Sequence, residues 1–321
     1  MDCYPVGEQQ TRKEYRMAQQ IWKYIWVTVI IVIALQLCSQ QQVPYDPLVS
    51  DVEADAKVDR KVFAPPPLPA EMTFAGEPVP LDVPDVAERL DRELLVNSYL
   101  HATTLLGLKR MQRYVPEIKE LLVENDIPED FIYLALAESL FGHVTSPAGA
   151  AGFWQLMPDT ARGYGLLVNG EVDERFNVKK STHAAIRYLK TAHKRFDSWT
   201  NAAASYNRGM GGINRALERQ GVSSYYDLYL NDETSRYMFR ILALKEIYGN
   251  PEKYGFEVPK EHGYQPLPTR ELKVTSTIPD LPAFALEQGT NYKTLRLYNP
   301  WIKTYKLTVP QGREFVLELP Q

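Results

Sequence analysis

Glu138 is the residue whose neighbours most favour proton chemistry. It follows Phe131, Leu134 and Ala135 at helical spacing, and Ile132, Tyr133 and Leu136 make the other side apolar as well. A carboxylate so placed finds a partner or takes a proton near neutral pH, because burying an unpaired charge is costly. A protonated carboxyl in apolar surroundings is what a general acid requires. A Glu paired with an Arg, or one lying past the helix end in water, accounts for this residue equally well by itself. The stretch from Ser146 to Gly152 (Ser-Pro-Ala-Gly-Ala-Ala-Gly) tips the balance, since its small residues let the backbone approach another helix or a ligand in a groove. Phe153, Trp154, Gln155 and Met157 then add large flat groups and one amide. An apolar acid, a close-approach loop and an aromatic-plus-amide wall are the parts of a sugar-cleaving groove.

Other candidates carry less. Glu171, Asp173 and Glu174 sit in a polar loop over 169–177, where helix capping and solubility already account for acids; a second catalytic carboxylate is therefore not expected among them. His183 and His193 lie ten residues apart on one amphipathic helix and so on different faces, which argues against a shared metal. The two cysteines, Cys3 and Cys38, lie at or before the end of the N-terminal apolar run, which leaves the rest of the chain without a thiol nucleophile, disulfide or thiolate metal site. No metal and no cofactor are expected. Tyr206 and Asn207 end a thin helix built on Ala202, Ala203 and Ala204, with Gly209, Gly211 and Gly212 releasing the chain into a turn.

Glu138-Ser139, Gly152-Phe153-Trp154-Gln155 and Ala204-Ser205-Tyr206-Asn207 resemble, in this order, the motifs of the lytic transglycosylases with a goose-lysozyme-like (SLT) catalytic domain. The likeness covers roughly residues 94–256. It departs in one place, since the family usually has one more residue between its catalytic Glu and the Ser of the Ser-Pro-x-Gly loop. The resemblance implies Glu138 as catalytic acid, with Ser146, Gln155, Met157, Tyr206, Asn207 and, in Glu233-Thr234-Ser235-Arg236-Tyr237, Tyr237 as substrate-groove residues. It implies peptidoglycan glycan strands as partner. The implied reaction breaks the β-1,4 bond from N-acetylmuramic acid to N-acetylglucosamine without water, leaving a 1,6-anhydro end. A hydrolytic muramidase of the same fold and a non-catalytic peptidoglycan-binding scaffold are the alternatives.

The elements that must position these residues read as mostly α, a lysozyme-like domain followed by a small α+β module. Residues 85–125 have helical periodicity, with a bend allowed at Gly107 and a fresh helix start at Pro116. Residues 257–270 form a second linker. Strand, helix, helix and strand follow over 271–321, a plan that resembles a LysM glycan-binding module. Upstream, 39–84 is a Pro-rich linker and 1–38 a signal peptide or membrane anchor: Arg12, Lys13, Arg16 and Lys23 flank an apolar run too short for a comfortable span. Cleaved signal, uncleaved anchor, lipoprotein and a true start at Met17 all stay open; all mean export to the bacterial cell envelope, periplasmic, membrane-associated or anchored, with membrane association expected through the N-terminal segment. With 45% hydrophobic residues, net charge −4 and no basic block, the 321-residue chain supports a real core and no nucleic-acid partner. Oligomeric state is not readable from these features.

Overall fold

The computed structural model describes residues 64–321, so the expected signal or anchor and most of the expected Pro-rich linker lie outside the described residues. A two-residue hairpin opens this part, β1 (Thr73–Phe74) and β2 (Glu77–Pro78), followed by α1 (Pro84–Tyr99) and α2 (His101–Val123). Then come α3 (Phe131–Ser139), α4 (Pro158–Gly163), α5 (Val178–Phe196), α6 (Trp199–Arg208), α7 (Met210–Gln220) and α8 (Asp232–Gly249). The chain closes with β3 (Thr269–Val274), α9 (Leu281–Glu287), α10 (Tyr292–Tyr298) and β4 (Phe315–Pro320).

The core forms around α8, whose run Met238, Phe239, Ile241, Leu242 and Ala243 is wholly buried. Such a helix must be surrounded, and α1, α3 and α6 pack on it. On α6 the three alanines have no exposed surface, which lets the backbones approach closely. The helix starts are well specified: Asn177, Ser198 and Asn231 each cap the helix after them through a side-chain oxygen. For α3 the polypeptide first makes a tight turn, with Phe131, Ile132 and Tyr133 amides donating three residues back to Pro128, Glu129 and Asp130. Asp130 does not cap this helix; its Oδ2 accepts from the Ala75 amide at 2.6 Å and from Lys245 at 2.7 Å.

Several expectations are corrected. Residues 101–123 form one helix through Pro116, and the break falls at Leu100. Gly107 serves packing instead of bending: a Cβ there would collide with the Tyr248 ring on α8. Gly211 and Gly212 lie inside α7, so the turn after α6 is the single residue Gly209 at φ +78°. The described part of the expected 39–84 linker is packed, with Phe74 fully buried edge-on against Phe131 at 5.3 Å. Glu77 takes the Trp199 and Thr200 amides at the start of α6, at 2.5 and 2.9 Å.

In the C-terminal module β3 and β4 pair antiparallel from Thr269↔Pro320 to Val274↔Phe315. Alternate residues Phe315, Leu317 and Leu319 point into a separate apolar cluster with Leu281, Leu295, Trp301 and Ile302. Within the expected linker 257–270, residues 264 and 265 lie against α2: the Tyr264 amide donates to the Lys109 carbonyl at 2.9 Å and Arg113 to the Gln265 carbonyl at 2.9 Å.

Phe74→Ala removes a fully buried ring and is expected to cost about 3–5 kcal/mol. Equilibrium unfolding in urea checks this. A change within about 0.5 kcal/mol, the usual range for surface sites, would mean that the hairpin only rests on the helical domain.

Candidate active site

Glu138 occupies the last turn of α3, and the chain leaves that turn through two non-glycine residues in the left-handed region, Leu140 and Phe141, both at φ 51°. Such backbone is held only by its surroundings. Arg110 of α2 supplies one support by donating to the Leu140 carbonyl at 3.0 Å. Ser139 supplies another, donating to the Phe153 carbonyl at 2.9 Å and so fastening α3 to Phe153 and Trp154, which are buried in the core instead of forming the expected aromatic wall of a groove. Across the site Tyr237 of α8 donates its hydroxyl to Glu138 Oε1.

The electrostatics favour the acid form. Burial is the largest influence on Glu138 and raises it from 4.5 to about 7; the Tyr237 hydrogen bond and the Arg240 charge pull it down, and Glu233 pushes it up. Burial also lifts Tyr237 and Tyr206 well above the usual phenol value, with the Glu138 charge adding to both. Both phenols therefore stay protonated, and Tyr237 acts as donor. Tyr206 donates to the Trp154 carbonyl at 2.7 Å and meets Tyr188 edge-on at 5.0 Å.

The loop after Glu138 is tied internally. The Ser146 amide donates to the Ala150 carbonyl at 2.8 Å, and the Ala150 amide returns to Ser146 Oγ at 3.1 Å. Ala151 and Leu156 exchange amide–carbonyl bonds, and the Gly152 amide reaches the Val144 carbonyl at 3.0 Å. Gln155, at φ 42°, donates through Nε2 to the Gly152 and Val144 carbonyls at 2.8 and 3.1 Å. Its amide thus braces the loop and keeps Oε1 as an acceptor. Met157 is exposed where α4 begins. Asn207 is bonded to the start of α8: Thr234 donates to its Oδ1 at 3.1 Å, and its Nδ2 reaches Glu233 at 3.3 Å. Of the expected groove residues, Tyr237 alone is hydrogen-bonded to Glu138; Tyr206 holds the Trp154 carbonyl, and Ser146 and Gln155 hold the loop beside it.

Two residues were not singled out from sequence. Glu233, in the first turn of α8, is near enough for its charge to raise Glu138. The signal for it was its place in the Glu233-to-Tyr237 run. Arg175 is buried and clamps the loop, donating through Nη1 to the Gly149 and Leu156 carbonyls at 2.7 and 2.9 Å. An Arg in a polar acidic turn offers no such signal. The acids of that turn are all engaged: Glu171 with Lys306 and Thr308, Asp173 with Arg175, and Glu174 with Lys180 and the Leu167 amide. Among the described residues no group of three or more His, Cys, Asp or Glu is arranged to hold a metal ion.

The raised Glu138 makes stability pH-dependent. The native protein keeps this proton after the unfolded chain has lost it, so the contribution is full below 4.5 and disappears as pH rises through about 7. Glu138→Gln should match wild type at pH 4 and exceed it by roughly 1–3 kcal/mol at pH 8. Melting curves across this range read the difference; one that stays constant with pH would deny the raised value.

Sequence comparison places this geometry in context. Residues 117–228 match the Transglycosylase SLT domain, and residues 270–321 match the Soluble lytic transglycosylase C-terminal LysM-like domain. Membrane-bound lytic murein transglycosylase D of Escherichia coli (strain K12) is 30% identical over 253 residues, which is 76% of this chain and 54% of that protein. The chain therefore spans about half the length of the curated relatives it matches. Among solved structures, the 70 kDa soluble lytic transglycosylase of Escherichia coli has a TM-score of 0.37 at 22% identity, over 46% of this chain and 26% of that one. The lytic transglycosylase Slt of Pseudomonas aeruginosa has 0.33 at 21% over the same shares. The assignment rests on the sequence matches: this chain carries a Transglycosylase SLT domain at 117–228 and a Soluble lytic transglycosylase C-terminal LysM-like domain at 270–321.

Proposed function

We propose that this protein is a peptidoglycan lytic transglycosylase that breaks the β-1,4 bond between N-acetylmuramic acid and N-acetylglucosamine and closes a 1,6-anhydro ring. The observation that carries the reading is Glu138, raised to about 7 and held by Tyr237. At neutral pH a large fraction of it is protonated and able to give its proton to the leaving glycosidic oxygen. The carboxylate so formed then takes the proton of the muramic acid 6-hydroxyl, which attacks the anomeric carbon. That hydroxyl is tethered to the reacting sugar, so it has the large effective concentration of an intramolecular nucleophile and water is not consumed. The substrate's acetamido group would stabilise the cationic centre, with Ser146, Gln155 and Met157 along the groove to orient it and Tyr206 holding the Trp154 carbonyl.

A second reading, the muramidase, has one observation in its favour. A hydrolase needs a second carboxylate to activate water or attack the sugar. Glu171, Asp173 and Glu174 are engaged elsewhere, but Glu233 is exposed on the first turn of α8 and its charge reaches Glu138. Its capture by Asn207 at 3.3 Å favours a structural part for it, tying α6 to α8.

The protein would act outside the cytoplasmic membrane of a bacterial cell, held there through its N-terminal segment; the basic flank and apolar run before Cys38 support export. Among the described residues no helix is long and apolar enough to cross a membrane. The LysM-like module would bind glycan and raise the effective concentration of the catalytic groove on the polymer.

Digestion of purified sacculi followed by mass analysis tests the chemistry. Muropeptides lighter by one water than hydrolytic products are expected, with no label taken up in ¹⁸O-water. Labelled reducing ends, lost in Glu233→Gln, would establish the muramidase instead. Glu138→Gln should abolish product release while its helical circular dichroism stays at the wild-type level. Turnover by that variant at the wild-type rate would place the acid elsewhere.

A further inference from the structure

The acidic turn before α5 touches both halves of the protein. On one side it carries Arg175, whose side chain is buried and uses its planar fork twice. Nε and Nη2 donate to the two oxygens of Asp173 at 2.9 and 2.7 Å, while Nη1 holds the Gly149 and Leu156 carbonyls. Those carbonyls lie in the Ser146–Ala150 turn and just before Met157. The loop also lies directly on the Arg175 backbone, where a Cβ at Gly152 would run into the Arg175 carbonyl. On the other side the same turn carries the C-terminal module. The Asp173 amide donates to the Trp301 carbonyl at 2.8 Å and the Lys303 amide to the Glu171 carbonyl at 2.8 Å, with Val172 facing Ile302. Val172 is buried in the module's apolar cluster, and Glu171 takes Lys306 at 2.8 Å and the Thr308 amide at 3.1 Å.

We propose that Arg175 is a positioning residue for the catalytic groove and that docking of the C-terminal module on residues 171–173 holds it in place. Asp173 is the shared part. Its backbone is bonded to the module and its carboxylate orients the guanidinium, so a free module leaves the clamp with one support fewer. A buried guanidinium aimed at two carbonyls is held by geometry, and an ammonium group cannot reproduce the fork. The LysM-like module thus has a duty beside any glycan binding, as a brace for the loop that bears Ser146 and Gln155. The catalytic consequence rests on the proposed transglycosylase reaction; the structural one does not.

The test uses the full chain and two variants. Arg175→Lys keeps the charge opposite Asp173 but loses the fork. Glu171→Lys/Val172→Asp sets a cation against Lys306 and a carboxylate against the module's apolar core while leaving that core unmutated. Hydrogen exchange reads the loop through the Ala151, Gly152 and Leu156 amides, docking through Asp173 and Lys303, and the module's own fold through β4. Both variants should speed loop exchange by roughly tenfold or more, with β4 still protected in the second. On short soluble glycan strands kcat should fall by about tenfold or more, as a slight misplacement of groove groups produces. The alkaline limb set by Glu138 should stay near pH 7, because Tyr237 is untouched; a general loosening would expose Glu138 and pull the limb down. Wild-type loop protection in Arg175→Lys would overturn the positioning role. Wild-type loop protection with Asp173 and Lys303 exchanging freely, or both of these amides still protected in the double variant, would overturn the brace. If the wild-type protein released no product, the proposed function would fall while the exchange results still decided this inference.

Discussion

The site depends on keeping one carboxyl group dry at the wrong end of a helix. Glu138 sits where the carbonyls of α3 converge, and a negative charge there is opposed by the helix dipole as well as by burial. The structure answers with a single short-range donor, Tyr237, and keeps Arg240 as a more distant influence. A direct Arg partner would have stabilised the carboxylate and pulled the group back towards its usual range. The acid is therefore poised by what is withheld from it as much as by what touches it.

This arrangement explains why α8 has to lie at the centre of the domain. Tyr237 must be rigid to hold a half-buried carboxyl, and the residues that follow it on α8 are packed on all sides. Asn207 and Thr234 then fix the start of α8 to the end of α6, and Tyr206, one residue earlier, reaches across to the Trp154 carbonyl. One helix end thus sets the acid's partner and the place of Trp154 together. The alanines of α6 serve the same purpose, since larger side chains would separate the two helices and lengthen each of these bonds.

The parts legible in sequence were those written in local pattern. The apolar surroundings of Glu138, the small-residue loop, the thin Ala helix and the strand-helix-helix-strand plan of the C-terminal module all follow from periodicity or residue size. The parts that escaped depend on partners far along the chain. Phe74 is a lone aromatic among prolines, and nothing near it announces that Phe131 receives it. Pro116 reads as a helix start, yet α2 carries it because flanking residues Ile118 and Leu122 are buried against the core and outweigh one lost bond. Arg175 and Glu233 lie among other charged residues, where a buried clamp and a solvated face look the same in sequence. Asn207 shows the reverse case: its place in the family motif is plain, but its side chain serves α8 and leaves Glu138 to Tyr237.

A groove open to a polymer, as proposed for this chain, cannot be closed by its own core, so its loop has to be stabilised from behind. Here the support is polar. Residues 146–152 are small and contribute little apolar area, and Gly149, Gly152 and, beyond them, Gln155 are at positive φ. Hydrophobic packing alone could not hold such a backbone, because there is too little side chain to pack. Backbone carbonyls are what the loop can offer, and a buried guanidinium is the side chain best suited to grip several of them at once. Burying that cation in turn demands a carboxylate, which Asp173 supplies, and fixing Asp173 demands a backbone partner, which Trp301 supplies from the C-terminal module. Each step follows from the cost of leaving the previous polar group unpaired, and the chain of necessity runs from an open groove to a second domain packed behind it.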